Sequence, residues 1–222
     1  MTLATAADLI AVLRFAADPA TYPNRHYHGA GEVLGVRMGA LFDIAKRGTD
    51  LPLAEVEKLL DESAYEPRLA AFCVLDFAVR RRSVSERDCE IRYRLYLNRH
   101  DCIDSWDMVD RAAPRVIGGY LRNRSRDPLL ELAESSDAYR RRTAMTAPLI
   151  YTRPVDPDGI VDLLRIAEVL IADPDPIVSK PVGIALRHAG GVAPDEVCAF
   201  LNRLGDRVPA PIARAARQKL PE

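Results

Sequence analysis

The chain has 222 residues, 48% apolar and 28% charged, which is enough to bury a sizeable core and excludes a disordered chain. Aromatic residues make up only 6% while Ala, Leu and Arg are frequent, a balance that favours helix over strand. The net charge is −1, so bulk charge gives no footing for nucleic-acid binding; only an uneven distribution of charge could.

The elements follow from periodicity and punctuation. Thr5 can cap a first helix with Leu9, Ile10, Leu13 and Ala16 on its apolar positions, and Asp18-Pro19 ends it. Tyr22 to Gly35 is rich in Pro, Gly, His and Asn and reads as a loop. Val36 to Arg47 reads as a helix closed by Gly48. From there the pattern becomes paired. Pro52 opens a helix with Val56, Leu59 and Leu60 inward, and its partner runs from Tyr65 to Arg82. Ser85 caps the next helix, to Arg99, whose partner starts at Trp106, is kinked or broken at Pro114 and ends near Arg122. Pro128 opens a short helix, with Asp137 to Tyr151 beside it. Asp158 to Ile171 and Ile177 to His188 form a fourth pair, and Pro194 to Leu204 with Ala210 to Leu220 a fifth.

No run alternates like a strand. Five pairs recur at roughly 30 to 43 residues, the period of HEAT-like helical repeats. The expected fold is all-α: a right-handed α-solenoid in one domain over 1–222, with N-terminal helices in 1–50 and five helix pairs in 51–222. A compact irregular all-α domain is the competing reading.

Cys73, Cys89, Cys102 and Cys198 form no CxxC pair, and His26, His28, His100 and His188 lack zinc-site spacing to them. The expectation is reduced thiols, no metal and no cofactor in a cytoplasmic protein. No basic leader opens the chain and no window of about 18 apolar residues is present, so export and a membrane span are not expected.

Charge separates by layer. The first helices of the pairs are acidic: −3 over Pro52 to Ser63, −4 over Asp127 to Asp137, −5 over Asp156 to Asp175 and −2 over Pro194 to Leu201. The second helices are basic: +2 over Glu66 to Arg82, +3 over Ser105 to Arg126, +4 over Ala138 to Arg153, +2 over Ile177 to Gly190 and +3 over Asp206 to Lys219. Only Ser85 to Arg99 breaks the pattern. In a solenoid this predicts a concave basic groove, the footprint of a phosphate-backbone binder. Arginines that merely complement helix dipoles are the alternative, which suits Arg80 to Arg82 better than Arg140 to Arg142.

The chemistry concentrates in Ser105-Trp106-Asp107-Met108-Val109-Asp110, which holds the one tryptophan. Four residues apart on a helix, Trp106 and Asp110 share a face, an aromatic wall beside a fixed negative charge. A core tryptophan near a surface aspartate would give the same spacing. On the second helix of the central pair, the two would lie midway along the basic groove.

This stretch resembles the W-D-x-V-D pattern of the AlkD-like DNA alkylation repair proteins, the HEAT-like-repeat alkylpurine DNA glycosylases. Leu34-Gly35-Val36-Arg37, Tyr65-Glu66-Pro67-Arg68-Leu69-Ala70-Ala71, Tyr139-Arg140-Arg141-Arg142-Thr143-Ala144 and Lys180-Pro181-Val182-Gly183-Ile184-Ala185-Leu186-Arg187 are similar to further family segments. The resemblance covers most of the chain. It implies an enzyme that excises cationic N3- or N7-alkylated purines from double-stranded DNA by base excision, without metal or cofactor. The chain is expected to be a monomer, associated with the nucleoid when bound to DNA. It implies that Trp106 stacks on the lesion deoxyribose and that Asp110 stabilises the oxocarbenium-like sugar and positions water. Arg142, with Arg141, matches the family's DNA contact near the lesion; Lys180 and Arg187 fall on another DNA-contacting helix. The sequence departs from the pattern where Ile184 replaces a groove tryptophan, Tyr139 replaces another, Gly39 replaces a proline and Pro181 intrudes into a helix. A DNA-structure-binding relative without catalysis and a protein-binding helical scaffold are the competing functions.

Overall fold

Helix follows helix along the chain because apolar residues recur at three and four positions, and caps or prolines set most starts. A computed structural model describes residues 3–221, and among them no named strand occurs; two isolated bridges, Ala17 with Val36 and Thr152 with Val155, are the extent of β pairing. The α-helices are α1 (Ala6–Phe15), α2 (Met38–Arg47), α3 (Leu53–Leu60), α4 (Tyr65–Val79), α5 (Glu86–Asn98), α6 (Trp106–Ala112), α7 (Gly119–Leu121), α8 (Asp127–Ala133), α9 (Ala138–Thr146), α10 (Pro157–Leu170), α11 (Pro176–Gly190), α12 (Pro194–Leu204) and α13 (Ala210–Arg217). Short 3-10 turns add His100–Cys102, Ala147–Tyr151 and Gly205–Arg207.

Thr5 and Ser85 cap their helices as the sequence suggests, Thr5 in a capping box with Asp8, and Asp137 accepts at the start of α9. Asp156 and Asp175, which the sequence reading did not single out, do the same for α10 and α11. Where the sequence suggests one domain over 1–222, the contacts gather into two compact units, Met1–Ala112 and Ala113–Glu222.

In the first unit α4 is the central element. It is buried almost all round, with Leu69, Phe72, Cys73 and Leu75 each at most 1% exposed, and α1, α2, α3, α5 and α6 pack against it. In the second unit α11 has that place, flanked by α9, α10, α12 and α13. Its interior Pro181 does not end it; the helix continues to Gly190. The carbonyl of Ile177, which a residue with an N–H at 181 would have bonded, instead accepts from Arg142 Nη1 at 2.6 Å.

Two departures from the sequence reading have physical causes. The helix that starts at Trp106 is not simply kinked at Pro114. Ala113–Gly118 widens into a π-helix, which accommodates a residue that cannot donate to the carbonyl four positions back, that of Asp110. The helix of Asp137 to Tyr151 divides into α9 and a 3-10 turn, with Pro148 in the turn.

Gly118, at the end of the π segment, is a tight point. A Cβ there would lie 2.2 Å from the carbonyl oxygen of Ala147, and Tyr151 Oη donates to the Gly118 carbonyl at 3.0 Å. Gly118→Ala must therefore move backbone, and we expect a loss of about 2 to 3 kcal/mol. Urea unfolding of the two proteins side by side checks it; a loss below about 0.5 kcal/mol would contradict the packing described.

Candidate functional site

The candidate site forms within the first unit, where α2, α4 and α6 meet the irregular segment after α1. Trp106 opens α6 and is 40% exposed, so it is not a core tryptophan. Asp110, one turn on, is half-buried. Both line a cleft of about 390 Å³ whose other walls are Met38 and Phe42 of α2, Leu69 of α4, Asp107 and Arg111 of α6, and Asn24 and His26 of the segment after α1. The floor is largely apolar, with Asp107, Asp110 and Arg111 as its charged groups and His26 beside them.

A polar framework that the sequence reading missed fixes these walls. Asp104, two residues before α6, accepts from Tyr27 Oη at 2.6 Å and from Arg68 Nη2 at 2.8 Å. Arg68 also donates to the Cys102 carbonyl at 3.0 Å and to Tyr27 Oη at 2.8 Å. Next to it Tyr65 donates its phenol to Asp107, and the Tyr27 and Tyr65 rings lie 4.6 Å apart. Burial, reinforced by the Asp107 charge, pushes the Tyr65 pKa far up, so that phenol stays a donor at any working pH. Burial and Asp104 raise the Tyr27 pKa as well. Asn24, in left-handed backbone at φ 38°, is part of the Tyr65 surroundings.

The segment before α2 is held by Glu66, only 1% exposed. Its carboxylate accepts the N–H groups of Leu34 at 2.8 Å, Gly35 at 2.8 Å and Val36 at 3.2 Å. Gly35 has φ 79°, and a Cβ there would sit 2.3 Å from Pro19 Cα, so this turn needs glycine. Arg111 is the remaining wall group: Nη2 lies 3.0 Å from Asp76 Oδ2, and its guanidinium stacks on Phe42 at 4.4 Å and Phe77 at 4.5 Å.

The other sequence-derived residues lie in the second unit. Arg142 is only 6% exposed, holding the Ile177 carbonyl. Arg141 is ion-paired to Asp173 at 2.6 Å and donates to the Ser135 and Ser136 carbonyls. Tyr139 is half-buried near the start of α9. On α11, which packs against α9, Lys180 is exposed, Ile184 is 37% exposed and Arg187 is bonded to Gln218 at 3.2 Å.

Several arginines that the layer count assigned to a basic face serve the interior. Arg68 pairs with Asp104, Arg80 and Arg111 with Asp76, and Arg126 with Asp156 and Asp162; Arg122 donates to the Ile150 carbonyl. The count of charges per helix sees sign but not partners.

The model of the family described as "DNA alkylation repair enzyme" matches residues 9–220. The chain belongs to this family. Membership places it in DNA alkylation repair, as the W-D-x-V-D resemblance implies. Among solved structures, the chain is similar to "Predicted DNA alkylation repair enzyme from Enterococcus faecalis" with a TM-score of 0.66 at 15% identity, over 92% of this chain and 93% of that one. That likeness supports the all-helical repair fold. No curated protein sequence matches. No helix among the described residues is long and apolar enough to cross a membrane, and no cluster of His, Cys, Asp and Glu among them could hold a metal ion.

Proposed function

We propose that the protein is a DNA glycosylase that removes cationic N3- or N7-alkylated purines from duplex DNA. The observation that carries this reading is the pairing, in one open cleft, of the exposed Trp106 indole with the Asp110 carboxylate.

The chemistry asks for little else. An alkylated purine already carries a positive charge, so it leaves as a neutral base and takes the C1′–N electron pair without a general acid. Positive charge then grows on the deoxyribose. A fixed carboxylate and an aromatic face stabilise that charge electrostatically, in a site already shaped for it. Water adds at C1′ and gives up a proton, for which Asp110 is the acceptor. Hydrolysis of an uncharged glycoside would call for a second, protonated carboxyl group. Asp107 is not suited to that part, since Tyr65 donates to it. Lys180 and Ile184, exposed on α11, are the residues of the second unit that we assign to DNA contact. Arg142 and Arg141 would support that surface by holding α11 and the α8–α9 turn in place.

The test is release of 3-methyladenine and 7-methylguanine from methylated duplex DNA by the purified protein. Base release supports the reading. Salt-sensitive duplex binding without release would leave a DNA-structure-binding protein instead, and no binding at about 100 mM salt would leave a protein scaffold.

Ile184 supplies a further check. It gives the α11 surface an aliphatic group where an aromatic one could stack on a sugar or base. Ile184→Trp should tighten binding to lesion-containing duplex about three- to fivefold, the equivalent of about 0.5 to 1 kcal/mol. Fluorescence anisotropy with lesion and undamaged duplexes measures it; equal affinities for wild type and variant would remove Ile184 from the contact surface.

A further inference from the structure

The cleft contains a contradiction if its task is to stabilise a cation. Arg111 follows Asp110 directly and lines the same wall, so a permanent positive charge stands beside a place where positive charge must grow. At an effective permittivity of about 20, one uncompensated unit charge about 12 Å away slows such a step roughly tenfold, and a closer one slows it more.

The surroundings of Arg111 answer it. Asp76 on α4 is 0% exposed and sits 3.0 Å from Arg111 Nη2. The guanidinium carbon lies 4.4 Å from the centre of the Phe42 ring and 4.5 Å from that of Phe77. Its Nε is buried and has no hydrogen-bond partner among the described residues; the ion pair with Asp76, the two rings and a hydrogen bond with the Cys73 side chain surround the group. The neighbouring Cys73 is a thiol whose pKa burial pushes up to about 12, so it brings no compensating charge. Arg80 also pairs with Asp76, but from the solvent side, with its side chain 33% exposed. Asp76 is thus the buried anion in contact with the cation of the cleft wall.

We propose that Asp76 is a positioning residue for excision: it neutralises and pins the Arg111 guanidinium in the cleft wall, so that the cleft can favour the sugar cation. The inference rests on the excision reading for its kinetic arm. Its physical core, a pinned and neutralised Arg111, stands without it.

The experiment uses the full chain with Asp76→Asn, Arg111→Gln and the double substitution. Gln keeps a planar head for the two rings and removes the charge. Single-turnover release of 7-methylguanine should slow about tenfold in Asp76→Asn, while affinity for undamaged duplex stays equal or tightens, because the protein has gained one positive charge. The double variant should recover most of that rate. A general loosening of the fold would weaken rate and affinity together and would not be reversed by the second substitution; that pattern overturns the proposal. So does a loss of more than about tenfold in duplex affinity on Arg111→Gln, which would make Arg111 a DNA contact. If Asp76→Asn fails to fold, as a thermal melt would reveal, Arg111→Gln and the double variant decide. Both should then release base at least as fast as about a third of the wild-type rate.

A separate arm needs no base release. In wild type the Arg111 Nε–H should exchange slowly with solvent by ¹⁵N NMR, and Asp76→Asn should speed that exchange by more than about tenfold. If wild type releases no base, the excision reading fails alone, and the exchange measurement still judges the pinning. Unchanged exchange overturns it.

Discussion

Asp110→Asn is expected to slow release of 7-methylguanine from methylated duplex DNA by about 100- to 1000-fold, with little change in duplex affinity. The substitution keeps the shape of the side chain and its place on α6, and removes one negative charge. That charge acts on a sugar that becomes cationic only as the purine departs, so the loss falls on the rate and not on binding. Removal of one preorganised electrostatic partner elsewhere costs about that factor. Trp106→Ala should lose less, because an aromatic face contributes about 0.5 to 2 kcal/mol to holding a cation. Single-turnover rates for the three proteins, beside their dissociation constants, are the measurement. Equal rates for wild type and Asp110→Asn would end the assignment of Asp110.

The second large effect concerns stability. Glu66→Ala should destabilise the first unit by about 3 to 5 kcal/mol. The carboxylate is 1% exposed and receives three backbone N–H groups, from Leu34, Gly35 and Val36. Its removal leaves three donors buried without acceptors, and the penalty for such orphans exceeds what each bond contributes when made. Glu66→Gln should cost less, because its oxygen can still accept while its NH₂ faces N–H groups. For a chain of this length, about 2 to 4 °C of melting temperature follows each kcal/mol, so Glu66→Ala should melt roughly 10 °C lower. Amide exchange at Leu34 and Val36 should accelerate in both variants. Because the same segment carries Asn24 and His26 into the cleft, base release should fall as well. A melting shift under about 2 °C would show that the segment is held by other means.

Some of the site was legible from residue spacing. Trp106 and Asp110 stand four apart on a helix start that the sequence marks, and α6 does put both on one cleft. A local pattern sufficed because one helix turn brings them together whatever the rest of the chain does. The partners of that pair were not legible. Tyr65 lies 42 positions from Asp107, and Tyr27 lies 77 from Asp104. No periodicity within one element relates such residues, and their polar side chains could as well have faced water. Glu66 and Arg68 illustrate this. Counted along the helix they are ordinary surface charges; in the fold they are 1% and 8% exposed, and each organises a turn.

The sequence by itself determined the all-helical character and most helix starts, because capping, proline placement and apolar spacing are local properties of the chain. Its W-D-x-V-D stretch and the other motifs made the DNA alkylation repair family legible, and the family match over residues 9–220 bears that out. Only the tertiary structure decided which charges reach solvent. Arg141 and Arg142 read as groove residues, yet they close on Asp173 and on the Ile177 carbonyl freed by Pro181. An ion pair or a capped carbonyl depends on which helices pack together, and that choice is made by the buried faces of α4 and α11, not by the charges themselves.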